Sequence, residues 1–282
     1  MTVRRPATVA IIAAGVVLTG CAPDVAFIGD PVLEAVVDPD RFEASIDAAV
    51  TETGARSRVI WPAVSSLEAL DPQAVVASAD ASTIGLSPYL SLFAASIAER
   101  FPKRTFVAFS AGPTAGNLTR VEFDASVAMR EAGEFLAEWV FEASPRSASV
   151  LLDAGRPVLA EEARSLARGY RSVAGVDLEV VRFAEAPTRE DLRARLDALP
   201  VTGQVALVAL LGEATPELFE LTRDEPILLA GRNLSDRGEE DRILFVVRDD
   251  LARGLAAAIG SADETVVVQA TFEAARRPRS VE

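Results

Sequence analysis

The chain has 282 residues, 50% apolar and 25% charged, with 28 Lys+Arg against 42 Asp+Glu for a net charge of −14. The absence of histidine excludes Ser-His-Asp and Cys-His catalysis and histidine-ligated zinc, copper or haem, and a single cysteine excludes an internal disulfide, a zinc knuckle and a Cys-x-x-Cys redox pair. The acidity argues against nucleic acid as a partner, because that affinity rests on clustered cations, and the length suits one large or two modest domains.

In chain order, Arg4 and Arg5 precede an apolar run, Ala7 to Val17, too short to span about 30 Å of hydrocarbon and typical of the core of a secretory signal. The run ends in Leu18-Thr19-Gly20-Cys21, which resembles a bacterial lipobox. That resemblance implies cleavage after residue 20, a diacylglyceryl group on the Cys21 sulfur, fatty acylation of the new amino terminus, and a location on the bacterial cell envelope facing outward from the cytoplasm. The plain alternative is an ordinary signal peptide with a chance cysteine. Removing residues 1–20 takes away two arginines and no acid, so the net charge moves from −14 to −16. Such a surface is repelled by anionic headgroups, and the acyl chains, at about 0.8 kcal/mol per buried CH₂, would hold the membrane.

Val25 to Ile28 then reads as a buried strand closed by Gly29-Asp30-Pro31, and Asp38-Pro39-Asp40 opens a helix through about Thr53. Ser57 to Trp61 reads as a strand, Ser65 to Leu70 as a short helix, Ala74 to Ala77 as a strand, Pro88 to Phe101 as a helix and Arg104 to Phe109 as a strand ending in Ser110-Ala111-Gly112. Leu118 to Phe123 is strand-like, and a long helix follows from Asp124 to about Ala143. Beyond it come strand 148–152, helix 158–173, strand 178–183, helix 189–199, the fully apolar strand 205–211 and a short helix 216–222. Strands 227–230 and 243–247, a helix 249–259 and a last strand 265–272 complete the pattern.

Near-continuous apolar strands alternating with helices predict an α/β protein whose parallel sheets are covered on both faces. Some ten strands are many for one sheet, and Gly/Pro/Asn-rich breaks at 112–124 and 231–242 divide the chain into two lobes. The first lobe is expected to hold 24–119 plus 248–262, the second 120–247 plus 263–282. Arg276-Arg277-Pro278-Arg279 reads as a frayed end.

Four segments carry a family resemblance: VAFIGD (Val25 to Asp30) close behind the lipobox; FDASVAMREAGEFLAEW (Phe123 to Trp139), with Glu131, Gly133, Phe135, Leu136 and Ala137; PILLAGRN (Pro226 to Asn233); and ILFVVRDDLARGLAAAI (Ile243 to Ile259). In this order they resemble the basic membrane protein family of substrate-binding lipoproteins, which includes purine nucleoside receptors and has the type I periplasmic binding protein fold. The resemblance implies a two-lobed receptor that takes a small solute between its lobes and delivers it to the permease of an ABC importer. The chain departs from the family where Asp30-Pro31-Val32-Leu33 replaces a more polar stretch, and where Arg232-Asn233 stands in place of a turn that typically offers an aspartate.

In open α/β sheets ligands sit beyond the carboxyl ends of strands. That rule selects Asp30, Trp61, Ser78, Asp80, Ser110, Asp153, Arg156, Gly212, Glu213, Arg232 and Asn233. Asp30 reads as an acceptor for sugar hydroxyls or as a turn cap, and Trp61 as a stacking face or a core residue. Asp153 with Arg156 reads as a polar clamp, or as a helix cap beside an exposed arginine. Arg232 and Arg248 suit an anionic group or pairing with nearby acids such as Asp236 and Asp249. Trp139 reads as core, and Tyr89 as core or cleft.

Catalysis finds little support. Ser110-Ala111-Gly112 is no nucleophile elbow, Gly112 to Gly116 is no phosphate loop, and the pairs Glu161-Glu162 and Asp249-Asp250 read as solvated or helix-terminal charges, with no metal-ligand spacing and no cofactor signature. The rival to a solute receptor is an envelope scaffold or sensory ectodomain on the same fold. It is favoured by the scarcity of cleft-dressing residues, since Asn occurs only at 117 and 233 and Lys only at 103. A carboxylate-based enzyme is a more distant alternative.

Overall fold

The computed structural model describes residues 24–142, 145–199, 203–234 and 242–274. The signal segment, Cys21, Asp236 and Arg276 to Arg279 lie outside them. Two six-stranded sheets form. In the first, β1 (Val25–Ile28) lies between β2 (Ser57–Ile60) and β3 (Thr83–Leu86), and β4 (Thr105–Ala108), β5 (Leu118–Asp124) and β11 (Thr265–Gln269) follow beyond β3. In the second, β6 (Arg146–Asp153) lies between β7 (Glu179–Phe183) and β8 (Gln204–Leu210), and β9 (Ile227–Arg232), β10 (Ile243–Arg248) and β12 (Thr271–Ala274) follow beyond β8. All pairs are parallel except β10 with β12.

Parallel strands need helical crossovers, so both faces of each sheet are covered and central strands are apolar throughout. β8 shows this, with every residue after Gln204 buried. Four apolar clusters result, two per sheet. The first sheet is flanked by α2 (Pro39–Thr51) and α9 (Leu251–Ala258) on one face and by α3 (Pro72–Ser78) and α4 (Ala94–Arg100) on the other. The second is flanked by α5 (Ser126–Glu142) and α6 (Pro157–Ala174) on one face and by α7 (Arg189–Asp197) and α8 (Thr215–Leu221) on the other. A short α1 (Pro31–Val36) follows β1 directly. Helices α5 and α6 meet backbone to backbone: a Cβ on Gly133 would collide with the Leu166 carbonyl oxygen, and one on Gly169 with that of Arg130.

Several expected elements shift. Ala74 to Ala77 is helix, not strand. The Asp71 carboxylate accepts hydrogen bonds from the Gln73 and Ala74 N–H groups and Pro72 occupies the first turn, which commits the segment to α3. The sheet instead uses Thr83–Leu86, so Ser78 and Asp80 do not end a strand. The helix expected over 88–101 is a 3-10 turn, Leu90–Phe93, followed by α4. The last strand divides at Ala270, so that β11 joins the first sheet and β12 the second. The chain therefore passes between lobes three times, after β5, after β10 and between β11 and β12; the third passage falls within the final strand region, whereas the sequence places it ahead of that strand. β5 also belongs to the first sheet, so residues 120–124 and 265–269 lie in the first lobe rather than the second.

Candidate functional site

Strand β9 ends in Arg232, and Asn233 turns the chain with φ 51°, a left-handed conformation that asparagine tolerates better than most residues. Arg232 is the centre of a charge cluster at the crossovers. Its Nε and Nη2 donate to both Asp249 oxygens at 2.8–3.2 Å, a bidentate fork, and its Nη1 pairs with Glu162 of α6. Nη2 also reaches the Phe123 carbonyl at 3.4 Å, in the strand that leads into the second lobe. Asn233 Nδ2 donates to Asp249 Oδ2 at 2.8 Å, and the Asp249 N–H donates to Asn233 Oδ1 at 2.9 Å. One side-chain cluster thus ties β9, α6, β5 and the β10–α9 crossing together.

Glu162 is only 4% exposed and its Oε2 has no hydrogen-bond partner. Burial pushes its carboxyl above the usual glutamate range, although the Arg232 charge pulls the other way. Burial alone would lower Arg232, but the Asp249 and Glu162 carboxylates outweigh it and hold the guanidinium above its ordinary value. Asp124, at the first crossing, is lowered chiefly by the Ser126 hydrogen bonds, and also accepts from Gln269 Nε2 at 3.1 Å, which joins the first crossing to the third.

A cavity of about 610 Å³ opens beside Arg232 and Asn233, within the usual range for small-molecule sites. Its second-lobe wall includes Leu210 and Leu234, at the carboxyl ends of β8 and β9, Leu159 at the start of α6, and Thr215 and Phe219 of α8. Ala35 and Val36 of α1 supply the first-lobe wall, so the cavity lies between the lobes. Asp30 shapes that wall indirectly: 1% exposed, it caps α1 by accepting from the Val32 and Leu33 N–H groups at 2.8 and 2.9 Å.

Of the residues selected from the sequence, Gly212, Arg232 and Asn233 line the cavity. The Arg156 guanidinium packs beside Gly212 and pairs with Asp153 at 3.2 Å, while Asp153 also accepts from the Gly155 N–H. Glu213 sits in the 3-10 turn Gly212–Ala214, and its side chain lies outside what is described. Trp61 lies against the Gly29 backbone, packs on Phe42 and donates through Nε1 to Glu43 at 3.0 Å. Ser110 belongs to a loop pinned by Arg120, which is 3% exposed. Arg120 donates to the Ser110 and Pro113 carbonyls, and burial lowers its pKa. Trp139 is core, and Tyr89 packs edge-on against Phe93. Arg248 pairs with Glu273.

The expectation that Glu162 is a solvated helix charge is overturned: it is buried against Arg232, whereas its neighbour Glu161 pairs with Arg164 and Arg168 in solvent. Asp249 likewise serves Arg232, and Asp250 caps α9 through the Arg253 N–H. Sequence reasoning also missed Val36, Leu159 and Phe219, whose aliphatic or aromatic character gives no sign of a site. Among the described residues no group of His, Cys, Asp and Glu could hold a metal ion, and no helix is long and apolar enough to cross a membrane.

Neither family models nor curated proteins give a match to this chain. Solved structures do. An ABC transporter solute-binding protein from Conexibacter woesei is 13% identical with TM-score 0.60, covering 89% of this chain and 88% of that one. Another from Aeropyrum pernix is 16% identical with TM-score 0.57, covering 89% and 76%. A transcriptional activator of the comK gene from Bacillus halodurans is 11% identical with TM-score 0.57, covering 88% and 89%. All three are described as binding or regulatory proteins, none as an enzyme. With two predominantly parallel sheets flanked by helices and joined by three crossings, the chain has the type I periplasmic binding protein fold.

Proposed function

We propose that this chain is an extracytoplasmic solute-binding protein, lipid-anchored at Cys21, that captures a small molecule between its lobes for the permease of an ABC importer. The observation that carries the reading is the cavity of about 610 Å³ walled by α1 of one lobe and by the strand ends of the other, beside three chain crossings about which the lobes can close. The four segments that resemble the basic membrane protein family, and the solute-binding proteins that share the fold, support it. In this reading Arg156, packed beside Gly212 and paired with Asp153, borders the second-lobe side of the binding cleft. Asp30, Trp61 and Ser110 act by shaping and bracing the first lobe. The binding reaction needs no cofactor.

A second reading, an envelope scaffold or sensory ectodomain with a cleft poor in ligands, draws on one fact: Arg232, Asn233 and Asp249 satisfy one another. Isothermal titration and thermal shift of the purified full chain against a broad solute panel separate the two. A saturable ligand that raises the melting temperature supports the receptor. Silence across the panel supports the scaffold. Globomycin-sensitive processing and labelling by radioactive palmitate test the anchor, and neither should occur in Cys21→Ser.

A further inference from the structure

The chemistry of the interlobe cavity narrows its ligand, an inference that rests on the solute-binding reading above. Among the described residues, the charged and amide side chains that line the cavity are occupied within the protein. One guanidinium, Arg232, faces two carboxylates, Asp249 and Glu162, so the cluster offers no surplus positive charge to an incoming anion. Asn233 spends its Nδ2 and its Oδ1 on Asp249. Thr215 adds a hydroxyl. The other walls are mainly carbon: Leu159, Leu210, Phe219 and Leu234 from one lobe, Ala35 and Val36 from the other.

Exposed aliphatic residues also neighbour the lining residues along the chain. Val36 is 39% exposed and Val32, one helical turn earlier on the same face, is 52% exposed. Val158, beside Leu159 at the start of α6, is 65% exposed. Aliphatic side chains left in water next to lining residues of each lobe favour being covered when the cavity fills or the lobes close. A sugar or nucleoside placed there would strip water from many hydroxyls with few partners among the described residues to replace it, and a zwitterion or phosphate ester would meet there only guanidinium groups already paired with carboxylates, Arg232 with Asp249 and Glu162 and, beside Gly212, Arg156 with Asp153.

We infer that the cavity takes a neutral, predominantly apolar organic molecule with at most a hydroxyl or an amide to pair. The test is isothermal titration of the purified full chain with two sets of probes. One set is indole, geraniol and progesterone, which span small to large neutral apolar shapes. The other is glucose, adenosine, leucine and glucose 6-phosphate. At least one probe of the first set should bind saturably with a negative heat-capacity change, and none of the second should. Val36→Asp, on an exposed helix face, should weaken that binding about tenfold or more, while Val173→Asp, exposed near the carboxyl end of α6, should leave it unchanged. Binding by a sugar, nucleoside, zwitterion or phosphate ester, with none by an apolar probe, overturns the inference and leaves the solute-binding reading standing. Apolar binding indifferent to Val36→Asp overturns it by placing the site elsewhere. Silence from both sets overturns it together with the receptor reading.

Discussion

Replacing Arg232 by methionine keeps an unbranched apolar stem and removes the charge that the buried Glu162 and the partly buried Asp249 carboxylates share. The side chains of Glu162 and Asp249 are 5% and 14% exposed, so neither can turn to water for replacement. Asp249 retains the Asn233 amide at 2.8 Å, but Glu162 Oε2 already lacks a partner and Oε1 would lose its own. Removing one side of a buried ion pair costs about 3–5 kcal/mol, which for a protein of this size lowers the melting temperature by roughly 10 °C. The cost depends on pH. Burial already raises Glu162, and without Arg232 nothing opposes it, so the folded variant takes up a proton that the unfolded chain does not. The folded state then binds more protons, its stability rises as pH falls, and the penalty is greater at pH 7 than at pH 5. Thermal melts of wild type and variant at both values measure this. Adding Glu162→Leu to the variant should recover about half the loss, because the orphaned carboxylate is gone. A penalty below about 1 kcal/mol at pH 7, or one that grows toward pH 5, would refute the reasoning.

Other substitutions probe the remaining links. In the wild type, the raised Glu162 makes stability decline as pH climbs from the ordinary glutamate value through the raised one; Glu162→Gln should remove that decline, seen as urea midpoints that converge with or exceed the wild type by pH 8. Gly133→Ala drives a methyl into the Leu166 carbonyl and should cost about 1–3 kcal/mol or more, with guanidinium denaturation as the measure. Arg120→Met leaves the Ser110 and Pro113 carbonyls without their donor and should speed limited proteolysis at 110–113, whereas proteolysis in the second lobe stays the same. Asn233→Ala loses two side-chain hydrogen bonds and strains the left-handed turn, for a total of about 2 kcal/mol; Asn233→Gly, relieved of the strain, should lose less.

The two-sheet α/β plan is legible because parallel strands buried on both faces are continuous apolar runs, and β8 and β10 could be little else. The Ala74 to Ala77 error had its remedy in the preceding dipeptide: Asp71-Pro72 is the same cap-and-first-turn signal that correctly starts α2 at Asp38-Pro39. Arg232 and Asn233 are reachable from the rule that ligands sit beyond strand ends. Glu162 is not, because nothing in its own helix distinguishes it from Glu161. Only the approach of β9, 70 residues later, buries one and leaves the other wet. The apolar cavity wall is hidden for a related reason, since a leucine facing a cleft and a leucine facing a core look alike in sequence.

Dividing the final strand at Ala270 has a consequence for how the chain is made. Synthesis runs from the amino end, and domains generally complete in that order. Here β11 forms the edge of the first sheet and β12 the edge of the second, so β5 and β10 both wait with an unpaired side until Thr265–Ala274 has emerged. Neither lobe can be finished early. A chain stopped short of Thr265 would carry two open sheets, prone to pairing with other chains, rather than one sound lobe and one damaged one.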